Sequence, residues 1–181
     1  MTGPAELLRD FVNTYDVEQD ADELASPAEL SVWLRERGLV GEDDRAVDED
    51  LALAAHLREG LRHALLRNHD GGPYAVPPDL DAALAALPVR VTLDGGTPAL
   101  TPLTDGVGGG LARIAAMIAA THADGTWPRL KVCAESTCQW AFIDSSKNRS
   151  RSWCSMRVCG NRTKTRAYRA RRHAEGTPSP S

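Results

Sequence analysis

The chain has 181 residues, with 25 acidic and 21 basic side chains, four cysteines and a formal net charge of -4, which suits one domain or a small pair. Disulfide-dense secreted scaffolds are shorter and much richer in cysteine, and the Ala/Leu runs, broken by Arg or His, fall short of the about 20 apolar residues of a membrane helix. Glu6, Arg9, Asp10, Asp16, Glu18 and Asp20 stand where a secretory signal needs a basic start and an apolar middle, so a cytoplasmic protein with no membrane partner is expected.

Leu7, Leu8, Phe11, Val12 and Tyr15 recur at helical spacing and predict a first helix that ends in the acidic run Asp16 to Glu23. Ser26, Pro27, Ala28 and Glu29 supply an N-cap, a proline at the first helical position and the glutamate of a capping box. Leu30, Trp33 and Leu34 form that second helix's apolar stripe, and Gly38 stops it. From Asp48 to Asn68 a third helix follows Leu51, Ala54, Ala55, Leu57, Leu61, Ala64 and Leu65, its acidic first turn matched to the helix dipole. Gly71, Gly72 and Pro73 end it, and Asp79 to Leu87 adds a short Ala-rich helix.

The period then changes. Val89, Val91 and Leu93 alternate with Arg90 and Thr92, and Gly95 and Gly96 precede a second strand, Ala99 to Leu103, so a β-hairpin is predicted. Pro98 and Pro102 hold the second strand at an edge. Asp105 to Gly110 resembles an anion-binding loop but lacks the Lys-Ser/Thr of a P-loop and the GxGxxG order, and a flexible joint is the favoured reading. Leu111, Ile114, Ala115, Ile118 and Ala119 form another helix, ending near His122 to Gly125. Asn13 and Thr14 interrupt an apolar face, where buried hydrogen bonds are favoured over an effector pocket.

Cutting the chain after Thr126 separates two electrostatic characters. Residues 1–126 hold 22 acidic and 9 basic side chains, a net of -13, whereas residues 127–173 hold 12 basic and 2 acidic ones, Glu135 and Asp144, a net of +10. The expected organisation is an acidic, mostly helical domain over 1–126, a basic module over 127–173 and a disordered tail over 174–181, rich in Ser, Pro and Thr from Gly176 onward. All four cysteines lie in the basic module. Four residues separate Cys133 from Cys138 and likewise Cys154 from Cys159, with fifteen residues between the pairs. Two thiol loops brought together by a hairpin offer four ligands to one tetrahedral Zn2+. The alternatives are two disulfides, which a reducing compartment disfavours, or four core thiols in a stretch with little core. Metal binding would also supply folding energy that so small a module lacks. His122 and His173 read as solvated residues, and His56, His63 and His69 are not spaced as metal ligands.

The stretch from Cys133 to Arg172, with Phe142, Asp144, Asn148, Arg149, Ser150, Arg151, Trp153, Cys154, Ser155, Met156 and the run Cys159, Gly160, Asn161, Arg162, resembles the CGNR zinc finger. Phe11, Val12, Asn13 and Thr14, then Ser26, Pro27, Leu30, Trp33, Leu34, Gly38 and Leu39, resemble the ABATE domain that precedes this finger in bacterial proteins. One departure is Ser152, where a second basic residue commonly precedes the Trp-Cys pair. The resemblance implies a stress-linked bacterial transcription regulator that binds DNA.

The resulting expectation is an α+β protein in which a mostly helical domain with one β-hairpin precedes a small four-cysteine finger of two thiol loops, a short hairpin and a C-terminal helix. That last helix, Gly160 to His173, would be roughly 21 Å long. Arg162, Arg166 and Arg169 share one face, with Lys164, Tyr168, Arg171 and Arg172 beside them, suited to a DNA major groove while Lys147, Arg149 and Arg151 grip phosphates. A solvated face, or docking onto the protein's own acidic domain, are the other readings of this charge. Asn161 is assigned to supporting the turn or a zinc sulfur rather than to reading a base, and Asp144 to a buried hydrogen-bonding role toward a loop basic residue or backbone amides. The acidic domain would sense a small molecule or partner and could cover the finger until an effector binds; a homodimer is also expected from the limited contact area of a single finger. A protein-interaction or RNA-binding module and a thiol redox sensor are the rival functions. No Ser/His/Asp set, carboxylate pair or cofactor motif appears, so no enzyme is expected.

Overall fold

The computed structural model describes residues 3–69, 76–93 and 96–175; the expected turn at Gly71 to Pro73, Gly95 and the tail from Gly176 lie outside them. The elements run α1 Pro4–Val12, β1 Tyr15–Asp16, β2 Ala21–Asp22, α2 Pro27–Glu36, α3 Asp48–Arg67, α4 Pro78–Ala85, β3 Val89–Thr92, β4 Ala99–Pro102, α5 Gly106–Ala123, β5 Leu130–Val132, β6 Ala141–Ile143 and α6 Asn161–Glu175. Each strand pair forms its own antiparallel two-stranded sheet, β1 with β2, β3 with β4 and β5 with β6. The architecture is the expected α+β one. No helix among the described residues is long and apolar enough to cross a membrane.

Apolar stripes from four helices make the core: Leu8, Phe11 and Val12 of α1, Leu30 and Leu34 of α2, Leu57, Leu61 and Leu65 of α3, and Leu111 and Ile114 of α5 are buried together. The Ser26 hydroxyl caps α2 by accepting from the Glu29 N–H at 3.3 Å, and Gly38 takes the left-handed conformation (φ 67°) at its end. Gly60 allows α3 to meet α4, because a Cβ there would stand 2.7 Å from Leu80 Cα.

Two expectations are corrected. The acidic run after α1 does not extend a helix end but folds into the β1–β2 hairpin: Asp16 accepts from the N–H groups of Glu18 and Gln19, and Asp20 adopts φ 52°. Arg58, itself buried, holds this hairpin by a bidentate pair with Asp22 at 2.7 and 2.8 Å. Burial works against the Asp22 carboxylate, but the Arg58 guanidinium keeps it below its ordinary pKa. The glycine run after Asp105 is not a flexible joint either, since it forms the first turn of α5. Gly109 packs on the Thr104 backbone, and a Cβ on Gly110 would fall 2.7 Å from Val40 Cγ1, so the glycines serve close approach.

The charge change at residue 127 is no break in packing. Trp127, Leu130, Val132 and Ala141 belong to the same buried cluster as the helices. Four polar side chains add to this. Asn13 pairs with Ala141 like a strand neighbour, donating to its carbonyl at 3.0 Å and accepting from its N–H at 2.7 Å. Asn68 donates to the carbonyls of Trp127 and Leu130, both at 2.8 Å, and His69 Nε2 stands 2.6 Å from the Val132 carbonyl, which it reaches as a donor. Arg62, 2 % exposed, donates to the carbonyls of Val12, Tyr15 and Gln139 and pairs with Glu59 at 2.9 Å. Arg62→Ala is expected to cost about 3 kcal/mol or more, because those carbonyls lose a buried charged donor; urea unfolding of the zinc-loaded protein measures it.

Candidate metal and nucleic-acid site

Cys133 and Cys138 are placed by the β5–β6 hairpin, whose turn is the first thiol loop; the two thiol loops are therefore not joined through a hairpin between them. Cys133 N–H donates to the Trp140 carbonyl at 2.9 Å, and the Cys138 and Gln139 N–H groups donate to the Glu135 carbonyl. Gln139 is left-handed (φ 51°), which turns the chain back into β6. The second loop, Cys154 to Cys159, lies beside the first because Ala134 N–H donates to the Ser152 carbonyl at 2.9 Å. Met156–Gly160 forms a π-type turn capped by the Ser155 hydroxyl, which accepts from Val158 N–H.

All four cysteines are free thiols, and their sulfurs lie within 4.8 Å of one another. Sγ of Cys154 stands 3.6 Å from that of Cys138 and 3.7 Å from that of Cys159. Those spacings are far beyond a disulfide's roughly 2.05 Å. They match the about 3.8 Å edge of a tetrahedron with metal–sulfur bonds of about 2.3 Å. Burial, with the neighbouring Cys133 sulfur, pushes the Cys138 thiol up to about 12, and burial raises that of Cys154 as well. A cluster so reluctant to ionise alone suits a divalent cation that offsets the thiolate charge. Neither His122, which stacks on Trp127 at 4.8 Å, nor any other His, Asp or Glu joins this cluster among the described residues.

The run Cys159, Gly160, Asn161, Arg162 has a separate task for each residue. Cys159 is the last thiol. A Cβ on Gly160 would stand 2.5 Å from Met156 Sδ and 3.4 Å from Trp153 Cε3. Asn161 donates to the Arg157 carbonyl at 3.0 Å, the turn-supporting role expected for it. Arg162 reaches Thr137 at 3.3 Å and Glu18 of the β1–β2 hairpin at 2.8 Å.

A family model described as "CGNR zinc finger" matches residues 129–172, and one described as "Putative stress-induced transcription regulator", ABATE, matches residues 5–136. The chain belongs to the ABATE family. The CGNR match identifies the four-cysteine cluster as a zinc-finger site. Comparison with curated proteins gave no match. The ABATE match runs past Cys133, in keeping with a hairpin that belongs to the helical core as much as to the finger.

The predicted nucleic-acid residues divide into two groups. Arg151 donates to the carbonyls of Trp153 and Cys154 and lies 5.0 Å above the Phe142 ring, so it braces the second loop. Arg162 and Arg166 are turned to the finger and the acidic hairpin. Lys147, Arg149, Lys164, Arg169, Arg171 and Arg172 are exposed and in no ion pair among the described residues; Arg172 lies 6.0 Å from the Tyr168 ring centroid. Every residue from Lys164 to Arg172 is exposed, and the helix continues two residues past its expected end at His173.

Glu135 is a site residue that its sequence neighbourhood does not single out, although one signal points to it. Glu135 and Asp144 are the only acids between 127 and 173, and both are buried hubs. Asp144, expected to be a buried partner, accepts from Lys131 Nζ at 3.0 Å and from the N–H groups of Ser146 and Arg151. Burial would raise its pKa, but these donors hold it below the usual carboxylate range. Glu135 accepts from Arg166 at 2.5 Å, Thr163 at 2.9 Å and Thr137 at 3.1 Å, and the Arg166 guanidinium leads in bringing its carboxyl down to about 2. Lys131 is 2 % exposed, so Asp144→Ala leaves a buried ammonium without its counter-charge. A loss of about 3–5 kcal/mol is expected, read by urea unfolding, with the Lys131→Met/Asp144→Leu pair costing less than the single change.

Proposed function

We propose that this ABATE protein is a non-enzymatic, cytoplasmic transcription regulator that binds duplex DNA through its finger. One structural zinc ion, held by Cys133, Cys138, Cys154 and Cys159, fixes the base of α6. The observation that carries this reading is a solvent-exposed helix bearing Lys164, Arg169, Arg171 and Arg172, anchored at its start to the four-thiol cluster. Zinc with four thiolates contributes about -2, which leaves the module near +8. An α-helix fits the major groove, where Arg reads guanine edges, and loop cations such as Lys147 and Arg149 suit phosphates.

In this reading the effector would bind where the helical domain and finger meet. A cleft of about 600 Å3 is bounded by Arg9, Asn13, Arg37, Trp140 and Phe142 and reaches Cys154. A small molecule seated there would touch α1 and the hairpin that carries the thiols. Asn13 lines this cleft while paired with Ala141; Thr14 is buried and bonded to Phe11 and Arg58 instead. A homodimer through the helical domain would double the contact area of the single finger.

Five exposed cations that reach phosphates, Lys147, Arg149, Lys164, Arg171 and Arg172, should give a log-log salt slope of roughly -4.5, measured by fluorescence anisotropy on a labelled duplex. Lys164→Ala/Arg171→Ala should weaken binding and reduce the slope by roughly 2; an unchanged slope argues against the helix, and equal binding of single-stranded RNA would favour the RNA reading. Metal analysis should return one zinc per chain.

Among the described residues one ion pair, Glu18 with Arg162, joins the acidic domain to the basic side chains of the finger, and self-covering is proposed to act there. Removing residues 1–125 would strip the hairpin of its core, so the Glu18 to Arg162 pair is the informative target. Both side chains are partly exposed, and such pairs contribute little. Glu18→Ala is expected to tighten duplex binding by about two- to five-fold at low salt, with the gain shrinking as salt rises; weaker binding would assign Glu18 a purely structural role.

A further inference from the structure

α6 leaves the finger at a defined angle and rotation, although every residue from Lys164 to Arg172 is exposed. The thiol cluster reaches the helix through Cys159, and the partly exposed pairing of Arg162 with Glu18 and Thr137 is a weak further hold, so the helix could still swing and roll. A second attachment lies about one turn further on. Glu135, in the loop between the first two thiols, has a side chain 1 % exposed and accepts from both Thr163 and Arg166 of α6. Thr163 also donates to the Cys159 carbonyl at 3.0 Å, and Thr137 completes the carboxylate's shell. The attachment therefore spans the first thiol loop and the second turn of the helix, and it turns the Arg162 and Arg166 side of α6 toward that loop, with the Arg166 side chain still 54 % exposed. Positions 164, 168, 171 and 172, spaced by four, three and one, fall on the opposite side.

We propose that Glu135 and Arg166 are positioning residues that fix the rotation of α6, so that Lys164, Tyr168, Arg171 and Arg172 face the DNA and Arg166 does not contact it. This deepens the DNA-binding reading and rests on it for its functional part. A guanidinium spent on a phosphate and one spent on orientation differ in a measurable way. Loss of the former removes a counterion-release contribution, whereas loss of the latter weakens the complex without changing how steeply salt weakens it.

The test uses the zinc-loaded full chain and a fluorescein-labelled 30-base-pair duplex of mixed sequence. Arg166→Ala should weaken binding about ten-fold with the wild-type salt slope, while Lys164→Ala and Arg171→Ala each lower the slope by about 0.9. Arg166→Lys, which keeps the charge opposite Glu135, should restore most of the affinity. The Glu135→Gln/Arg166→Ala double variant should be no weaker than the poorer single one. A slope that drops by about 0.9 in Arg166→Ala places Arg166 on a phosphate and overturns the proposal. Amide exchange over residues 161–172 without DNA supplies an independent arm. Protection should fall in Glu135→Gln and Arg166→Ala, with Arg166→Ala deciding should Glu135→Gln lose its zinc, and unchanged protection overturns the attachment itself. Failure of the wild type to bind any duplex would remove the DNA reading, and the exchange arm alone would then decide whether Glu135 orients the helix.

Discussion

The hairpin that carries the first two cysteines is part of the helical core, and the rest of the functional region depends on that. Leu130, Val132 and Ala141 are buried with Leu8, Leu61 and Leu65, while Asn13, Asn68 and Arg62 satisfy backbone groups along the strands. Cys133 and Cys138 therefore occupy fixed positions before the second thiol pair arrives. The entropy of ordering the first loop is met by apolar burial in the larger domain, which a finger of about 45 residues could not supply by itself. Order then passes outward from the core to the thiol cluster, from the cluster to Cys159 and from Cys159 to α6.

The sorting of charge in the finger follows the same logic. Its two carboxylates are buried, where each collects several donors, and its surplus cations are left outside. Asp144 ties Lys131 to the loop around residues 146–151, and Glu135 ties the first thiol loop to α6. Both are high-stakes interactions, since a buried carboxylate that loses its donors is costly. Placing the acids inside also keeps them away from the surface that a polyanion would approach. The exposed part of the module is accordingly more uniformly positive than its sequence count suggests.

The acidic domain and the finger meet through contacts of different strength. The hairpin's apolar packing and the buried Arg62 are permanent features of the fold. The Glu18 to Arg162 pair and the cleft beside Trp140 are exposed, and lie between the helical domain and the parts of the finger that hold the metal or the helix. Only the second kind can be exchanged for phosphate or ligand at small free-energy cost, so the proposed regulation would act at Glu18 and the cleft, whereas stability rests on the shared core.

The sequence by itself determined the elements and the metal site. Leu, Ala and Val periodicities located α2, α3 and the β3–β4 hairpin, because local apolar spacing follows the helix and strand periods. The spacing of four thiols, with the residues around Cys159, located the cluster, because a soft-metal site needs a particular set of atoms. Tertiary structure alone decided which cations are free. Arg166 and Arg169 look alike in a helical projection, but a buried carboxylate 31 residues upstream engages Arg166. The acidic run after α1 and the glycine run before α5 depart from their local pattern for a related reason. Asp16 finds its donors within a turn, and Gly110 meets Val40 from far along the chain, so one outcome depends on hydrogen bonds and the other on packing that periodicity does not encode.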